Sequence, residues 1–353
     1  MQANLLLVTP PFTQLNTAYP ATSYIKGFLE EKGVSVSHFD LSIELFTSVF
    51  TSRSLRSIFQ EAQDLENYNY PLLQESKDLY ISRIDVVIGF LQKQDLETAE
   101  TLLETGFLPI GHRLLNVNTD IKWEAGAPGV IDKAKHFATL FIEEIGDFIQ
   151  ANVDEFFAFT KYAEQIATSA SSFNQIDTFL NYQPTLIEDQ MLAILEARIK
   201  QHAPDLVGFT IPFPGNLFSA LRCSQFIKQF YPQIKIAFGG GYCNTELRSL
   251  EDPRIFEYVD FISLDDGEGP LLKIVKYIEG KVEVNELERT FVLENSQVVY
   301  KDKIPNTIFH HKNLPAPNYS GLPFEKYCFY MLCQIMIFLM RLSCVFRSLF
   351  CLF

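Results

Sequence analysis

Positive charge is scarce in this chain: 29 Lys and Arg stand against 43 Asp and Glu, a formal net charge of -14. Binding along a phosphate backbone needs a basic footprint, so nucleic acid and anionic membrane surfaces are excluded as partners for the bulk of the chain. The body is also poor in cysteine. Of six, only Cys223 and Cys243 precede Cys328; Cys333, Cys344 and Cys351 follow it. Nothing at the start reads as a secretory signal, because Met1-Gln2-Ala3-Asn4 carries no basic residue and Leu5-Leu6-Leu7-Val8 is too short for an apolar signal core. The expected compartment is therefore the reducing cytoplasm, without disulfides. Several fingerprints are missing as well. No G-x-G-x-x-G follows the first apolar run, which excludes a dinucleotide fold of that type, and neither a G-x-x-x-x-G-K-[ST] phosphate loop nor a G-x-S-x-G nucleophile turn occurs. A receiver domain would need its acidic cluster early, whereas Asp265 and Asp266 follow the fifth expected strand.

What is present is a globular composition. Hydrophobic residues make up 47% of the 353 and charged residues 20%, which excludes wholesale disorder, and 32 Phe supply the bulk of a core. Asn4 to Val8 reads as a buried strand stopped by Thr9-Pro10-Pro11. A helix over about Ala21 to Lys32 follows, with Ile25, Phe28 and Leu29 on one face, and then an alternating strand over Val34 to Asp40. A strand, a helix and a strand joined by short turns imply parallel pairing through a right-handed crossover.

From about 42 to 201 the spacing becomes helical, clearest in Ala134, Phe137, Phe141, Ile145 and Phe148 and in Met191, Leu195 and Ile199, with breaks near 109–111 and 126–129. Strands resume at Asp205 to Ile211, Ile234 to Phe238 and Tyr258 to Leu264. Helices are expected over Leu217 to Phe230, Thr245 to Leu250 and from Asp265 to near Gly280. The expected fold is α/β: a Rossmann-like (flavodoxin-like) doubly wound parallel sheet of about five strands with a large helical insertion. It divides into an α/β domain over 1–280 with the insertion at about 42–201, a hairpin and linker over 281–327, and a hydrophobic tail over 328–353. The hairpin is expected over 291–302, turning at Asn295-Ser296, and Ile304 to Pro323 reads as a Pro- and Asn-rich linker.

In an open parallel sheet, ligands bind outside the carboxyl ends of the strands, where turns and helix starts converge. That rule selects Thr9 to Phe12; Asp40; Thr210 to Asn216; Gly239 to Tyr242; and Asp265 to Gly269, and within these Thr9, Pro10, Pro11, Thr210, Pro212, Gly215, Asn216, Gly239, Gly240, Gly241, Tyr242, Asp266, Gly267 and Glu268 are the candidate binding residues. Three glycines after a strand let a ligand approach the backbone closely, and equally make an ordinary strand-to-helix turn.

Taken in order, Leu-Leu-Leu-Val-Thr-Pro-Pro (5–11), Pro-Asp-Leu-Val-Gly-Phe-Thr-Ile-Pro-Phe-Pro (204–214), Ile-Ala-Phe-Gly-Gly-Gly-Tyr (236–242) and Phe-Ile-Ser-Leu-Asp-Asp-Gly-Glu-Gly-Pro-Leu (261–271) resemble the amino-terminal part of the cobalamin-binding-domain radical S-adenosylmethionine proteins. The resemblance covers most of residues 1–325 outside the insertion, including Gly321-Leu-Pro-Phe-Glu-Lys-Tyr327. It implies that the rim residues hold a corrinoid or a related nucleotide-tailed small molecule. The Thr210 loop would stand beside the nucleotide tail, and Gly239 and Gly240 would make room for it. Thr-Pro-Pro-Phe replaces the D-x-H-x-x-G that supplies an axial His in mutase-type domains, so the resemblance implies cobalamin without a protein ligand to cobalt, or a fold retained without its cofactor. It also implies a [4Fe–4S] cluster and S-adenosylmethionine for the intact family. The C-x-x-x-C-x-x-C that holds that cluster is absent, and the cysteine gaps after Cys328 are four, ten and six residues. On a helix, Cys328 and Cys333 would lie about 140° apart at ~100° per residue, which does not converge on a metal. No catalytic or metal-ligating residue is expected.

The tail from 328 to 353 reads as a frameshifted or prematurely ended segment of a missing barrel, as a membrane anchor, or as a docking helix. Its uncharged stretch to Met340 is short of the ~20 residues a span needs, so any membrane contact is confined to 328–353. Elsewhere, His310-His311 reads as a solvated surface pair and His38 as a satisfied, half-buried side chain. Asp40 could accept a ribose hydroxyl, Glu268 could bond a ligand or cap the helix it opens, and Cys223 and Cys243 read as small buried residues. A second reading, of another class, is a ligand-free Rossmann-like interaction module, anchored to a membrane if the tail is an anchor. Substrate and oligomeric state are not written in the sequence.

Overall fold

The computed structural model describes residues 2–66, 69–116, 122–159, 173–302, 309 and 314–328. The chain forms two compact units. The first comprises residues 1–14, 18–45 and 156–324; the second comprises 15–17, 46–155 and 325–353.

The first unit is α/β, built on a mostly parallel sheet. Its strands are β1 (Asn4–Thr9), β2 (Ser35–Asp40), β3 (Leu206–Thr210), β4 (Lys235–Gly239), β5 (Phe261–Ser263), β6 (Thr290–Glu294) and β7 (Gln297–Lys301). They lie in the order β2-β1-β3-β4-β5-β6-β7. Five run parallel as expected, but the expectation of about five strands falls two short. The hairpin joins the same sheet, with Ile262 of β5 opposite Phe291 of β6 in an antiparallel pair. It turns at Asn295 and Ser296, both with positive φ, as a two-residue hairpin requires.

The central parallel strands are largely apolar runs because both faces are covered, whereas β2, at the edge of the sheet, alternates. On one face Leu5, Leu7, Leu206, Ala237 and Phe261 pack with Phe28 and Leu29 of the Ala21–Glu31 helix and with Leu271, Ile274 and Val275 of the Glu268–Ile278 helix. The alternate residues Leu6, Val8, Val207, Phe209, Ile236 and Phe238 are buried as well. The Leu186–His202 helix belongs to this unit. Thr185 begins it with a reciprocal capping box to Glu188. Glu188 also pairs with Arg222 at 3.2 Å, both side chains buried, and Arg222 donates to the Leu180 and Phe179 carbonyls. That network satisfies the guanidinium, without which a buried charge is costly.

The helix expected from Leu217 starts earlier, as Pro214–Phe230, and the one expected over Thr245 to Leu250 lies four residues earlier, as Gly241–Glu246. In the first, Pro214 takes the opening turn, where its missing N–H costs nothing. Of the Pro- and Asn-rich linker, residues 314–320 lie along the Ala21–Glu31 helix. A Cβ at Gly27 would come within 2.5 Å of the Ala316 carbonyl oxygen, and the Asn318 N–H donates to the Ser23 carbonyl at 2.9 Å. Lys26, buried, donates to the Ser320 carbonyl at 2.6 Å.

The second unit is helical where described. Tyr80 of the Lys77–Lys93 helix stacks on Phe141 of the Ala127–Asn152 helix at 4.9 Å, and Phe59 of the Ser52–Asp64 helix meets Phe148 at the same spacing. Glu144 is fully buried and accepts from the His112 N–H at 2.5 Å; burial raises its carboxyl above the usual range. Among the described residues no helix is long and apolar enough to cross a membrane. His310, His311 and the tail beyond Cys328 lie outside the described residues.

His38 is more buried and less satisfied than expected. It is 4% exposed, its Nε2 bonds the Ser320 carbonyl at 3.0 Å, and Nδ1 has no partner among the described residues. Burial, with the Lys26 ammonium nearby, lowers its pKa from 6.5 to about 4. Between those values the unfolded chain takes up a proton that the folded chain refuses. The stability is therefore complete above pH 6.5 and is lost as pH falls through about 4, at about 1.4 kcal/mol per pH unit inside the window. Thermal denaturation of the full chain should show a melting temperature that drops across that window, with a shallower drop for His38→Gln.

Candidate functional site

The parallel strand order reverses direction between β1 and β3. From β1 the chain steps outward to β2, and from β3 it steps the other way through β4 to β5. At such a point the loops leaving the two strands part company, and the crevice between them is where ligands of open α/β sheets bind. The loops after β3, β4 and β5 lie at this carboxyl edge in the first unit, as do residues 10–14 and 18–20 of the loop after β1.

The first two loops are bound together by one side chain. Asn216, in the opening turn of the Pro214–Phe230 helix, is 0% exposed. Its Nδ2 donates to the Pro10 carbonyl at 2.9 Å and to the Phe12 carbonyl at 3.3 Å. With the amide nitrogen so engaged, Oδ1 is left as a buried acceptor without a partner among the described residues. Thr13 Oγ1 and Ser219 Oγ, the latter one helical turn beyond Asn216, are also buried and unpartnered there. The other side of the β1 loop is tied to the end of β2, where the Thr13 N–H donates to Ser42 Oγ at 2.9 Å.

The β3 and β4 loops are joined through backbone. The Ile211 N–H donates to the Gly239 carbonyl at 2.7 Å, and the Tyr242 N–H donates to the Ile211 carbonyl at 3.0 Å. Gly240 has φ +105, and a Cβ there would lie 2.8 Å from the Ile211 oxygen and 2.9 Å from its nitrogen. A Cβ on Gly241 would lie 2.9 Å from the Pro212 oxygen. The close approach that the glycines permit is thus made, on this side, by the chain's own β3 turn. Their other surface stays open: Gly239, Gly240, Gly241 and Thr210 are half-buried. Tyr242 is buried, which pushes its phenol up to about 12.

The remaining candidates divide. Thr9, Pro10, Pro11, Pro212 and Gly215 are buried in the two loops that Asn216 and Gly240 hold, and form the floor of the rim. Asp266 is exposed and Gly267 and Glu268 are half-buried. Their loop is joined to the Gly241–Glu246 helix by the Asp265 N–H, which donates to Asn244 Oδ1 at 2.6 Å, and by an Arg248–Asp265 ion pair. Glu268 stands in the first turn of the helix it opens, where negative charge is favoured. Asp40 accepts from the N–H groups of Ser42 at 2.9 Å and Ile43 at 3.3 Å, so it caps the Leu41–Val49 helix. Cys223 and Cys243 are buried free thiols, and burial raises both, Cys243 to about 12.

Two contributors escape a sequence reading: Ser42, which accepts from the Thr13 N–H, and Tyr19, whose ring lies edge to face against Phe213 of the strand-end segment 210–216. No cluster of three or more His, Cys, Asp or Glu suited to a metal occurs among the described residues. The rim brings together a half-buried glycine run, the buried Asn216 Oδ1 and the opening turn of the Pro214–Phe230 helix.

The close approach makes a graded prediction. Gly240→Ala adds a Cβ in a left-handed conformation against backbone and should destabilise by about 2–4 kcal/mol. Gly239→Ala meets only the Ser263 Oγ, at 2.9 Å, and should cost about 1 kcal/mol because a side chain can move. Urea denaturation of the two variants measures the difference.

No family model and no curated protein matches the chain. Among solved structures it is similar, at 10% identity, to the substrate-binding protein of a sugar ABC transport system from Bordetella parapertussis. That alignment covers 93% of each chain with a TM-score of 0.16, a likeness too slight to carry a statement about fold or ligand.

Proposed function

We propose that the first unit is a Rossmann-like, flavodoxin-type doubly wound domain that binds a corrinoid by its nucleotide tail at the edge shared by the β1, β3 and β4 loops. The strand order β2-β1-β3-β4-β5 is the order of that fold, whose ligands sit at the β1/β3 reversal. The observation that carries the reading is the pairing of a half-open glycine shelf with the orphaned Asn216 Oδ1. A buried acceptor without a donor is costly, and a hydroxyl of a nucleotide tail, or a water that the tail orders, supplies one. Thr210 and Gly239 to Gly241 would flank the tail, and Asn216 would orient it through Oδ1 while its Nδ2 ties the β1 loop to the helix after β3. When bound, a corrinoid supplies a cobalt centre able to carry a methyl group. The Thr9-Pro10-Pro11-Phe12 loop offers cobalt no histidine. With no C-x-x-x-C-x-x-C in the sequence, no radical chemistry is assigned to this chain.

A ligand-free interaction module is the second reading. It is favoured by one observation: the Ile211 and Pro212 backbone already accounts for the glycines at 240 and 241.

The two readings separate in one titration. The full chain, mixed with hydroxocobalamin and passed through gel filtration, should retain the corrinoid absorbance. Cobinamide, which has the macrocycle but no nucleotide tail, should bind at least about tenfold more weakly, a difference of about 1.4 kcal/mol. Equal binding of the two would remove the tail from the proposal, and binding of neither would leave the interaction module.

A further inference from the structure

The Pro214–Phe230 helix breaks a local rule at its start. Phe213 is its N-cap, with extended φ -134 and ψ 161, and makes no side-chain cap hydrogen bond. Small polar residues are preferred there because their oxygens accept from the unsatisfied N–H groups of the first turn. Here Pro214 has no N–H to satisfy and the Asn216 N–H donates to the Phe213 carbonyl at 3.1 Å, so the missing cap concerns the Gly215 N–H. The ring is also 53% exposed, so its presence is not accounted for by core packing. What it does touch is Tyr19, edge to face, with centroids 6.3 Å apart and planes at 71°. Tyr19 comes from the loop after β1 and Phe213 from the loop after β3, so the two rings meet across the reversal point whose floor Asn216 closes. Three residues on from Phe213, Asn216 Oδ1 is buried and unpartnered among the described residues. Departures from local rules without a structural return are where function is expected.

We propose that Tyr19 and Phe213 form an aromatic contact for a planar, apolar-faced ring, and that Asn216 Oδ1 accepts from a hydroxyl or amide N–H carried by the same ligand. Choosing a corrinoid as the probe rests on the function proposed above; the aromatic contact itself does not. Face or edge packing on such rings adds attraction beyond the area they bury. A ligand with both features gains from the pair of rings and from the orphaned acceptor together. One lacking the donor leaves Oδ1 without a partner.

The test uses Phe213→Asn, Phe213→Tyr and Phe230→Ala in the full chain, with melting temperature and hydroxocobalamin affinity as readouts. Phe213→Asn installs a good cap, so its melting temperature should equal or exceed that of the parent while affinity falls at least about tenfold. Phe213→Tyr should keep the affinity within about twofold. Phe230→Ala, which removes an exposed ring at the far end of the same helix, should change neither affinity nor the behaviour below. A lower melting temperature for Phe213→Asn would assign the ring to the fold and overturn the proposal, as would undiminished affinity. If the parent binds no hydroxocobalamin, the corrinoid reading falls, and anilinonaphthalene sulfonate becomes the planar probe. A fluorescence gain in the parent that Phe213→Asn abolishes and Phe230→Ala keeps sustains the aromatic contact. Equal gains in all three proteins, or none in the parent, overturn it.

Discussion

The backbone of Ile211 lies where a side chain at position 240 would have to be, and the shape of the ligand edge follows from that contact. Only glycine has the freedom to sit at φ +105 with a peptide 2.8–3.0 Å from its missing Cβ. Two hydrogen bonds fix the arrangement, Ile211 to Gly239 and Tyr242 to Ile211. With the β3 turn pinned on the end of β4, the helix after β3 must begin at once, at Pro214. That places Asn216 in its first turn, facing the β1 loop. One steric requirement in β4 thereby positions the amide that joins β1 to β3.

Most of the sheet was legible in the sequence because its evidence is local. Apolar runs of strand length, stopped by Thr9-Pro10-Pro11 or by glycine, mark parallel strands buried on both faces, and Asn295-Ser296 marks a hairpin. What local pattern could not supply was partnership. Nothing in residues 291–302 states that Phe291 will lie opposite Ile262, so the hairpin looked like an appendage rather than two further strands. The linker was unreadable for the same reason. Its proline and asparagine content predicts an irregular path, yet the path is fixed by Gly27, whose missing side chain admits the Ala316 carbonyl. Helix starts at Pro214 and Gly241 were also misplaced, since apolar spacing begins only after the first turn.

The candidate site was legible as a place and less so as a set of roles. Strand ends in an open sheet name the loops that share its carboxyl edge whatever their residues do. Roles depend on which groups the fold already satisfies. Asp40 looked able to hold a ribose, but its carboxylate is engaged by the N–H groups of Ser42 and Ile43. The glycine run looked like space for a ligand, and half of that space is occupied by the neighbouring turn. Asn216 looked like one member of a loop, and is one of the buried groups, with Thr13 and Ser219, whose hydrogen bonding is incomplete among the described residues.

Incomplete satisfaction separates the two functional classes more sharply than the presence of glycines does. A module built only to present a surface has no use for a buried acceptor at a strand reversal. An apolar side chain of similar size at 216 would avoid the desolvation cost, though it would also give up the two bonds to the β1 loop. The fold therefore tolerates Oδ1 as the companion of a useful Nδ2, or keeps it for a donor that arrives from outside. Phe213 weighs on the second side. It stands three residues away at a position where a polar cap would stabilise the helix, and it shares the crevice with Tyr19. Two independent departures from the least costly choice, one polar and buried, one aromatic and exposed, converge on the same gap between β1 and β3.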